Sequence, residues 1–333
     1  MVRNKQLKEQ LRILDQLIAE YKESKEKSQR DFWKYEQKYM KRLREAIRFF
    51  QELVPKAVAL TNFNEQNKMG RPEKLSLEQR VKIILIQRIM QKSNREISQM
   101  LEIFSYLQDV DISYKTIERL YDDERIQVIL FNMNTLIRDE LDIRSVNSSG
   151  DGTGYLLSVK EHYASAAQKL KEKGKKNDSK RKTFFSFTLM DIQTRIYIAF
   201  GTSYRSEKDA YNKAIEMLKI TNVDLDSIRL DRYYSGKNLV KFLSQKYQGI
   251  KCYLIPKKNA IVKGSPAWKK MLDEFCNNIN NYLTEYFKRN NSESGFSEDK
   301  RRFGWRIPQR IEERVNSAYH TIFTWHNLFW VGQ

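Results

Sequence analysis

Four residues within the segment YFKRNNSESGFSEDK, residues 286–300, are spaced so that they share one face of a helix. Tyr286, Arg289, Glu293 and Lys300 follow one another at steps of three, four and seven residues. At about 100° per residue, their side chains fall within roughly 60° of one another. A tyrosine, two cations and a carboxylate do not make an apolar core stripe. The face therefore belongs to a functional site or, alternatively, to a solvated helix with chance ion pairs.

Three carboxylates are placed where predicted strands and helices end or begin. Asp151 follows a predicted strand, Asp231 ends a later one, and Glu293 opens a helix. Carboxylates that gather at one sheet edge repel unless a cation lies between them, and such hard oxygen ligands suit Mg²⁺ or Mn²⁺. Two such ions can clamp the attacking and leaving oxygens of a phosphodiester displacement. The alternative is that each acid is a cap or a surface charge, since Asp-Gly, as at residues 151–152, is a common turn.

The order of predicted elements after residue 145 can bring these acids together. A first strand runs into a glycine-rich turn at Asp151, and residues 183–201 predict two strands around a turn at Asp191–Thr194. Helices and strands then alternate, and helices are expected from Pro266 to about Arg289 and from Glu293 to about Phe303. This order predicts an α/β fold with a mixed sheet flanked by helices.

The N-terminal segment, residues 1–53, contains no proline or glycine and predicts one long helix. Its apolar residues follow a heptad seam, which pairs two chains in a coiled coil or packs against the same chain. Both interpretations stay open. The polar stretch at residues 61–74 predicts a linker. The seam comprises Leu7, Leu11, Leu14, Ile18 and Tyr21.

Residues 75–137 predict a compact helical unit. Ser76, Ser93 and Ser113 are the expected N-caps of three short helices. Helices in this order suit a helix-turn-helix DNA reader, whose last helix would lie in the major groove. Any three-helix bundle shows similar periods, so a bundle without DNA contacts is the alternative. The candidate DNA contacts of the last helix are Ser113, Tyr114, Lys115, Thr116 and Arg119.

The charge balance favours a polyanionic partner. Lys and Arg number 61 against 42 Asp and Glu, a net charge of +19. Nucleic acid is the usual partner of such a chain, and a generally basic surface is the alternative. The segment at residues 169–182 carries eight basic residues, which predicts a flexible loop that could neutralise DNA phosphates. Its candidates are Lys175, Lys176, Lys180, Arg181 and Lys182.

Several classes of protein are disfavoured. No apolar run approaches 18 residues, so no membrane span is expected, and the N-terminus lacks the apolar core of a signal peptide. Two cysteines and three histidines are too few for a disulfide framework or a zinc cluster. The expected location is a reducing cytoplasm.

The acids and the helical face together resemble a known family, the DDE transposases of bacterial and archaeal insertion sequences. The spacing Tyr286-x2-Arg289-x3-Glu293-x6-Lys300 matches the Y-R-E-K signature of one large group of these enzymes. The continuation ESGFSEDKRRFG is similar to the run around the last catalytic acid in related groups.

The two aspartates extend the resemblance to roughly residues 70–330. Asp151, in DGTG, stands where the first catalytic aspartate is expected. Asp231, in LDRYYS, stands where the family has Asp-(Arg or Lys)-Gly-(Tyr or Phe), although Tyr233 replaces the glycine. The segment that begins GRPEKLSLEQ is similar to the helical DNA-binding segment that precedes many of these cores.

The resemblance implies an RNase H-like catalytic core that cleaves and joins DNA. Asp151, Asp231 and Glu293 would hold two Mg²⁺ or Mn²⁺ ions. Water would free a 3′-hydroxyl, which would then attack target DNA. Arg289 and Lys300 would grip phosphates, and Tyr286 would bond to a phosphate or support its helix. Further candidate DNA contacts in these motifs are Arg232, Arg301 and Arg302.

The resulting organisation has three parts. Residues 1–54 form the long helix and a possible coiled-coil dimerisation segment, 70–142 a helix-turn-helix-like DNA-binding domain, and 143–333 the RNase H-like domain. The expected partners are the double-stranded DNA of terminal inverted repeats and of a target. A homodimer is expected because two DNA ends must be held together. The expected setting is the bacterial or archaeal nucleoid.

Two other functions remain open from the sequence. A domesticated DNA-binding protein would keep the basic surface and the helical unit without catalysis. An RNase H-like nuclease would cleave DNA without joining it.

Overall fold

The computed structural model describes residues 2–24, 31–61, 63, 73–108, 112–157, 183–309 and 311–332. The basic segment predicted to contact DNA, with Lys175, Lys176, Lys180, Arg181 and Lys182, lies outside these residues.

The N-terminal segment forms two helices, α1 (Asn4–Glu23) and α2 (Phe32–Ala59). The prediction of one long helix over 1–53 is therefore wrong. Helix α2 begins where the Asp31 side chain accepts a hydrogen bond from the Lys34 N–H at 3.1 Å, which caps the free end of the helix. It also continues past residue 54, through Pro55.

Helix α1 packs against its own chain. Leu7 and Leu14 of the heptad seam are fully buried. The Tyr21 ring stacks on Phe287, with 4.5 Å between the ring centroids. The structure thus places these seam residues in intramolecular contacts, and the coiled-coil dimer stays a prediction.

The helical unit contains α3 (Leu77–Ile89), α4 (Asn94–Gln108), α5 (Tyr114–Leu120) and α6 (Glu124–Glu140). Each of the three predicted serine caps is confirmed. The hydroxyls of Ser76, Ser93 and Ser113 accept hydrogen bonds from the backbone N–H three residues later. The helix-turn-helix itself, and its DNA contacts, stay predictions.

In the part of the chain that the structure describes, the sheet has six strands in mixed orientation, which confirms the α/β prediction. Strand β1 (Ser145–Leu157) pairs antiparallel with β2 (Thr183–Asp191), which pairs antiparallel with β3 (Tyr197–Ser203). On its other side β1 runs parallel to β4 (Asp224–Leu230), which runs parallel to β5 (Lys251–Leu254). The hairpin predicted over 183–201 is thereby confirmed. The short strand β6 (Arg306–Ile307) pairs with the end of β1.

The helices that flank this sheet between residues 183 and 332 are α7 (Glu207–Ile220), α8 (Lys237–Lys246), α9 (Pro266–Asn277), α10 (Ile279–Phe287), α11 (Asn290–Phe303) and α12 (Glu312–Trp330). The helix predicted from Pro266 to about Arg289 is thus divided into two. Asn278 interrupts it, because its φ of −142° and ψ of 55° lie outside the helical region.

Helix α12 joins the sheet to the helical unit. Its Trp325 indole N–H donates to the Leu85 carbonyl of α3 at 2.8 Å. Asn327 donates to Asn134 of α6 and accepts from the Tyr197 backbone N–H of β3. Because these groups are buried, the helices and the sheet share one core. No helix in the described part of the chain is long and apolar enough to cross a membrane.

Candidate active site

The sheet register places Asp151 and Asp231 at the same edge. Gly150 of β1 lies opposite Leu230, the last residue of the parallel strand β4. Asp151 directly follows Gly150, and Asp231 directly follows Leu230. Asp151 is itself within β1, paired with Thr188 of β2, so the prediction that it follows the first strand is wrong. Strand β1 continues because β2 still offers a partner after β4 has ended.

Helix α11 brings Glu293 to this edge. The hydroxyls of Ser149 on β1 and Ser292 on α11 share a buried hydrogen bond of 2.6 Å. Gly295, one turn further along α11, allows this helix to approach Tyr197 of β3 closely. A side chain at this position would clash, because its Cβ would lie 2.9 Å from the Tyr197 hydroxyl. The N-terminal turn of α11 is therefore docked beside Asp151.

Arg289 gathers the three predicted carboxylates around one guanidinium. Its Nη2 lies 2.7 Å from Glu293 Oε1 and 3.5 Å from Asp231 Oδ2, and its Nη1 lies 3.8 Å from Asp151 Oδ2. The Arg289 side chain is only 14% exposed. Its carbon Cζ is 5.7 Å from the centroid of the Tyr286 ring. Three of the four residues of the helical face, and both aspartates, thus meet at one site.

Each aspartate is oriented by its own backbone. Asp151 Oδ1 accepts from the Gly152 N–H at 3.0 Å, and Asp231 Oδ1 accepts from the Tyr233 N–H at 3.0 Å. In both residues Oδ2 is the oxygen that faces Arg289. The capping role considered as an alternative for Asp231 is real, and it leaves the second oxygen for a cation.

The site carries more negative charge than Arg289 can neutralise. Burial raises the pKa of Asp151 to about 6, and this desolvation outweighs the attraction of Arg289 and the Gly152 hydrogen bond. The charges of Glu293 and Asp231 raise the same pKa further. Burial also raises the pKa of the Tyr286 hydroxyl. A single arginine thus only partly offsets three carboxylates.

Lys300, the fourth residue of the helical face, lies against β1 beyond Asp151. Its Nζ donates to Thr153 Oγ1 at 2.6 Å and lies 5.1 Å from the Tyr155 ring centroid and 5.0 Å from that of Trp305. Burial lowers the pKa of its ammonium group. Lys300 therefore contacts β1 at Thr153 and Tyr155, whereas Arg289 contacts the same strand at Asp151.

Two supporting groups were missed by the sequence analysis. Asp299, fully buried, accepts from the Tyr197 hydroxyl and contacts His326 Nδ1, each at 2.8 Å, which fixes the rotation of α11. The Tyr234 hydroxyl donates to Glu207 Oε1 at 2.5 Å and so ties the turn after Asp231 to helix α7. No spacing in the sequence signals either contact, because each joins segments distant along the chain.

The three acids offer carboxylate oxygens, which are the donor atoms that a hard divalent metal ion prefers. Among the described residues, no group of three or more His, Cys, Asp or Glu side chains is close enough to form a ready-made metal site. The three carboxylates instead surround Arg289. Their hard oxygens, and the burial of Asp151 beside two like charges, suit a cation such as Mg²⁺.

The sequence of one relative is similar to this chain over almost its whole length. A probable transposase for the insertion sequence element ISA1214 of Archaeoglobus fulgidus is 40% identical over 329 residues, which cover 98% of this chain and 96% of the relative. The chain belongs to this family of insertion-sequence transposases. No protein-family model matches the transposase, and no solved structure matches it.

The remaining predicted DNA contacts of the transposase differ in exposure. Lys115, Arg119 and Arg301 are exposed, whereas Thr116 and Arg232 are half-buried. Arg302 is different, because its side chain is 6% exposed, pairs with Glu298 at 3.1 Å and lies over the Phe329 ring. A DNA contact by Arg302 would require breaking this intramolecular pair.

Proposed function

We propose that this transposase is a DDE enzyme of the Y-R-E-K group, which cuts DNA at the ends of its own insertion sequence and joins them to a target. The observation that carries the proposal is the meeting of Asp151, Asp231 and Glu293 around Arg289 at one sheet edge. In open α/β sheets, ligands bind at the carboxyl ends of strands, and Asp231 directly follows the carboxyl end of β4.

The three carboxylates would hold two Mg²⁺ or Mn²⁺ ions, which would supply charge stabilisation and an activated nucleophile at the scissile phosphate. The backbone N–H groups of Gly152 and Tyr233 keep one oxygen of each aspartate fixed. That leaves Oδ2 of each residue for the ions.

Two nitrogens of Arg289 could donate hydrogen bonds to a phosphate. Its Nε and Nη1 are buried and have no hydrogen-bond acceptor among the described residues. A DNA phosphate oxygen would satisfy them, since a buried donor without an acceptor is costly. Lys300 would add a second cation further along β1. These residues position the phosphodiester, while hydrolysis frees a 3′-hydroxyl that then attacks target DNA.

The partners follow from the same proposal. Double-stranded DNA of the terminal inverted repeats would bind the exposed cations of α5, among them Lys115 and Arg119. Two ends must be held together for joining, so we infer a homodimer.

A cleavage assay tests the proposal. The substrate is duplex DNA copied from the sequences that flank the gene, with Mg²⁺ or Mn²⁺ and a circular target plasmid. Asp231→Ala should abolish site-specific nicks. Asp226→Ala is the matched control and should cleave normally, because Asp226 is an exposed carboxylate on β4, the strand that precedes Asp231.

The products separate the candidate functions. Nicks followed by joining to the plasmid identify the transposase reaction. Nicks without joining would leave a nuclease, and binding without nicks in both wild type and Asp231→Ala would leave a DNA-binding protein.

A further inference from the structure

A buried arginine, Arg229, lies on strand β4 just before Asp231 and directly opposite Ser149 of β1. Ser149 precedes Asp151 by two positions, and Arg229 precedes Asp231 by two. Residues two positions apart along a strand point to the same face of the sheet. The pair formed by Ser149 and Arg229 is therefore the nearest pair on that face to the two aspartates.

Each residue of this pair holds a helix on the sheet. Ser149 shares its hydrogen bond with Ser292 of α11. Arg229 holds α10 instead, because its Nε donates to the Glu285 carbonyl at 2.8 Å and its Nη2 donates to the Glu285 carboxylate. That carbonyl lies in the last turn of α10, where a cation also suits the negative end of the helix dipole. Both helices that build the site are thus attached to adjacent residues of the sheet.

The residue that Arg229 holds is next to the functional helical face. Tyr286 directly follows Glu285 and is 6% exposed. The Arg289 N–H donates to the Tyr286 carbonyl at 3.1 Å, so the backbone stays in a tight turn between these two residues. A shift of Glu285 would therefore move the Tyr286 ring and the Arg289 guanidinium relative to Asp231.

Arg229 is itself held from three strands. Its side chain is 2% exposed, and its Nη1 donates to Ser227 Oγ of β4 at 2.6 Å. The Ser227 hydroxyl donates in turn to Asn147 Oδ1 of β1 at 2.6 Å. The guanidinium carbon lies 4.8 Å from the centroid of the Tyr253 ring on β5. The sheet therefore fixes the guanidinium before it meets α10.

A buried ion pair of this kind adds little to stability. Removing two charges from water costs about as much as their attraction returns, so well-packed apolar residues would hold the sheet and α10 together as firmly. A planar guanidinium with several donors does something that apolar packing does not, because it fixes the angle of its partner as well as the distance. The double contact of Arg229 with Glu285 therefore specifies the orientation of α10.

We propose that Arg229 is a positioning residue for DNA cleavage. Acting through Glu285, it holds Tyr286 and Arg289 in the orientation in which they meet the scissile phosphate beside Asp231. Arg229 makes no contact with the phosphate itself. The inference rests on the proposed function, since the phosphate belongs to the reaction at the three acids.

The test measures two quantities separately, the single-turnover rate constant for cleavage of bound DNA and the Kd for the same duplex. The proteins are wild type, Arg229→Met, Glu285→Met and the double variant, each at a temperature where circular dichroism shows it folded. Arg138→Met is the matched control. Arg138 is 3% exposed, close to the burial of Arg229, but it lies on α6 and bonds to Thr135 of its own helix.

Arg229→Met should lower the rate constant by roughly 10- to 100-fold, because a displacement of about 1 Å at a reacting centre can cost about 100-fold. The Kd should change little, because the exposed cations that bind phosphates remain. Glu285→Met should slow cleavage similarly, and the double variant should be no slower than either single one, because both changes remove the same contact. Arg138→Met should cleave at the wild-type rate.

A wild-type rate constant in Arg229→Met, or equal losses in Arg229→Met and Arg138→Met, overturns the positioning role and leaves the proposed function standing. Losses that multiply in the double variant do the same. If Arg229→Met does not fold, Glu285→Met decides alone, because Glu285 is 31% exposed and its replacement leaves the core intact; a wild-type rate constant there overturns the role. Absence of cleavage by wild type overturns the proposed function, and the positioning role with it.

Discussion

Replacing Arg289 with glutamine should destabilise the metal-free protein and make divalent metal more stabilising. Arg289 is the one cation that contacts Asp151, Asp231 and Glu293 among the described residues. Glutamine is polar and uncharged, and it is too short to reach the positions that the Nη atoms of Arg289 occupy. The three carboxylates would then face one another without compensation.

The magnitude follows from the burial of each pair. Loss of one partner from a buried ion pair costs about 3–5 kcal/mol, whereas exposed pairs contribute about 0–1 kcal/mol. Arg289 and Asp151 are 14% and 17% exposed, but their atoms are 3.8 Å apart, and Asp231 and Glu293 are half-exposed. We therefore expect a loss of about 2–3 kcal/mol in the free energy of unfolding.

Mg²⁺ should recover much of this loss. A ligand at a hundred times its Kd stabilises the folded state by about 2.7 kcal/mol. Wild-type protein should gain less from the same concentration, because Mg²⁺ must first displace Arg289 from the carboxylates.

The assay is denaturant unfolding at pH 7.5, in EDTA and in Mg²⁺, of wild type, Arg289→Gln and a control. Arg144→Gln is the matched control, because Arg144 pairs with Asp139 and Asp142 on the surface and its side chain is 68% exposed. It should change stability by under about 1 kcal/mol and show no dependence on Mg²⁺. Equal stability of Arg289→Gln and wild type in EDTA, or equal gains in Mg²⁺, would refute the reasoning.

Three further predictions concern other parts of the chain. Asp151→Asn should stabilise the metal-free protein by about 2–3 kcal/mol at pH 7.5, because ionising a carboxyl whose pKa is about 6 rather than 3.8 opposes folding. The gain should vanish below about pH 4 in denaturation curves, and a gain independent of pH would contradict it. Lys115→Gln and Arg119→Gln should each reduce the salt slope of DNA binding by about one, measured by titration at several salt concentrations; unchanged slopes would remove α5 from the interface. Leu14→Ala should cost about 2–5 kcal/mol at any protein concentration, because the side chain is fully buried within its own chain. Concentration-dependent dissociation without that loss, seen by sedimentation, would support the coiled coil instead.

Local chemistry was predictable from the sequence. Ser76, Ser93 and Ser113 were identified as helix caps because capping needs only a hydroxyl and a nearby backbone N–H. The hairpin over 183–201 was identified from its β-branched and aromatic residues around a tight turn. Both signals lie within a few residues, so no distant contact can override them easily.

The division of the long helices was not predictable in the same way. An apolar seam repeats identically whether its partner is another chain or the same one, so the contact of Tyr21 with Phe287 could not be inferred from α1. Asn278 has no neighbouring proline or glycine that would predict a break in the helix. The helix ends where the Asn278 backbone leaves the helical region, with φ −142° and ψ 55°, which only the structure shows.

The sequence by itself determined which residues could form a site: three acids, and a tyrosine, an arginine and a lysine at helical spacing. It could not place them, because long-range register is set by pairing energies summed over whole strands. Only the tertiary structure set Gly150 opposite Leu230, which brings Asp151 beside Asp231. Only the docking of α11 on Ser149 put Arg289 among the acids, because a buried hydrogen bond and a close glycine contact fix that helix on the sheet.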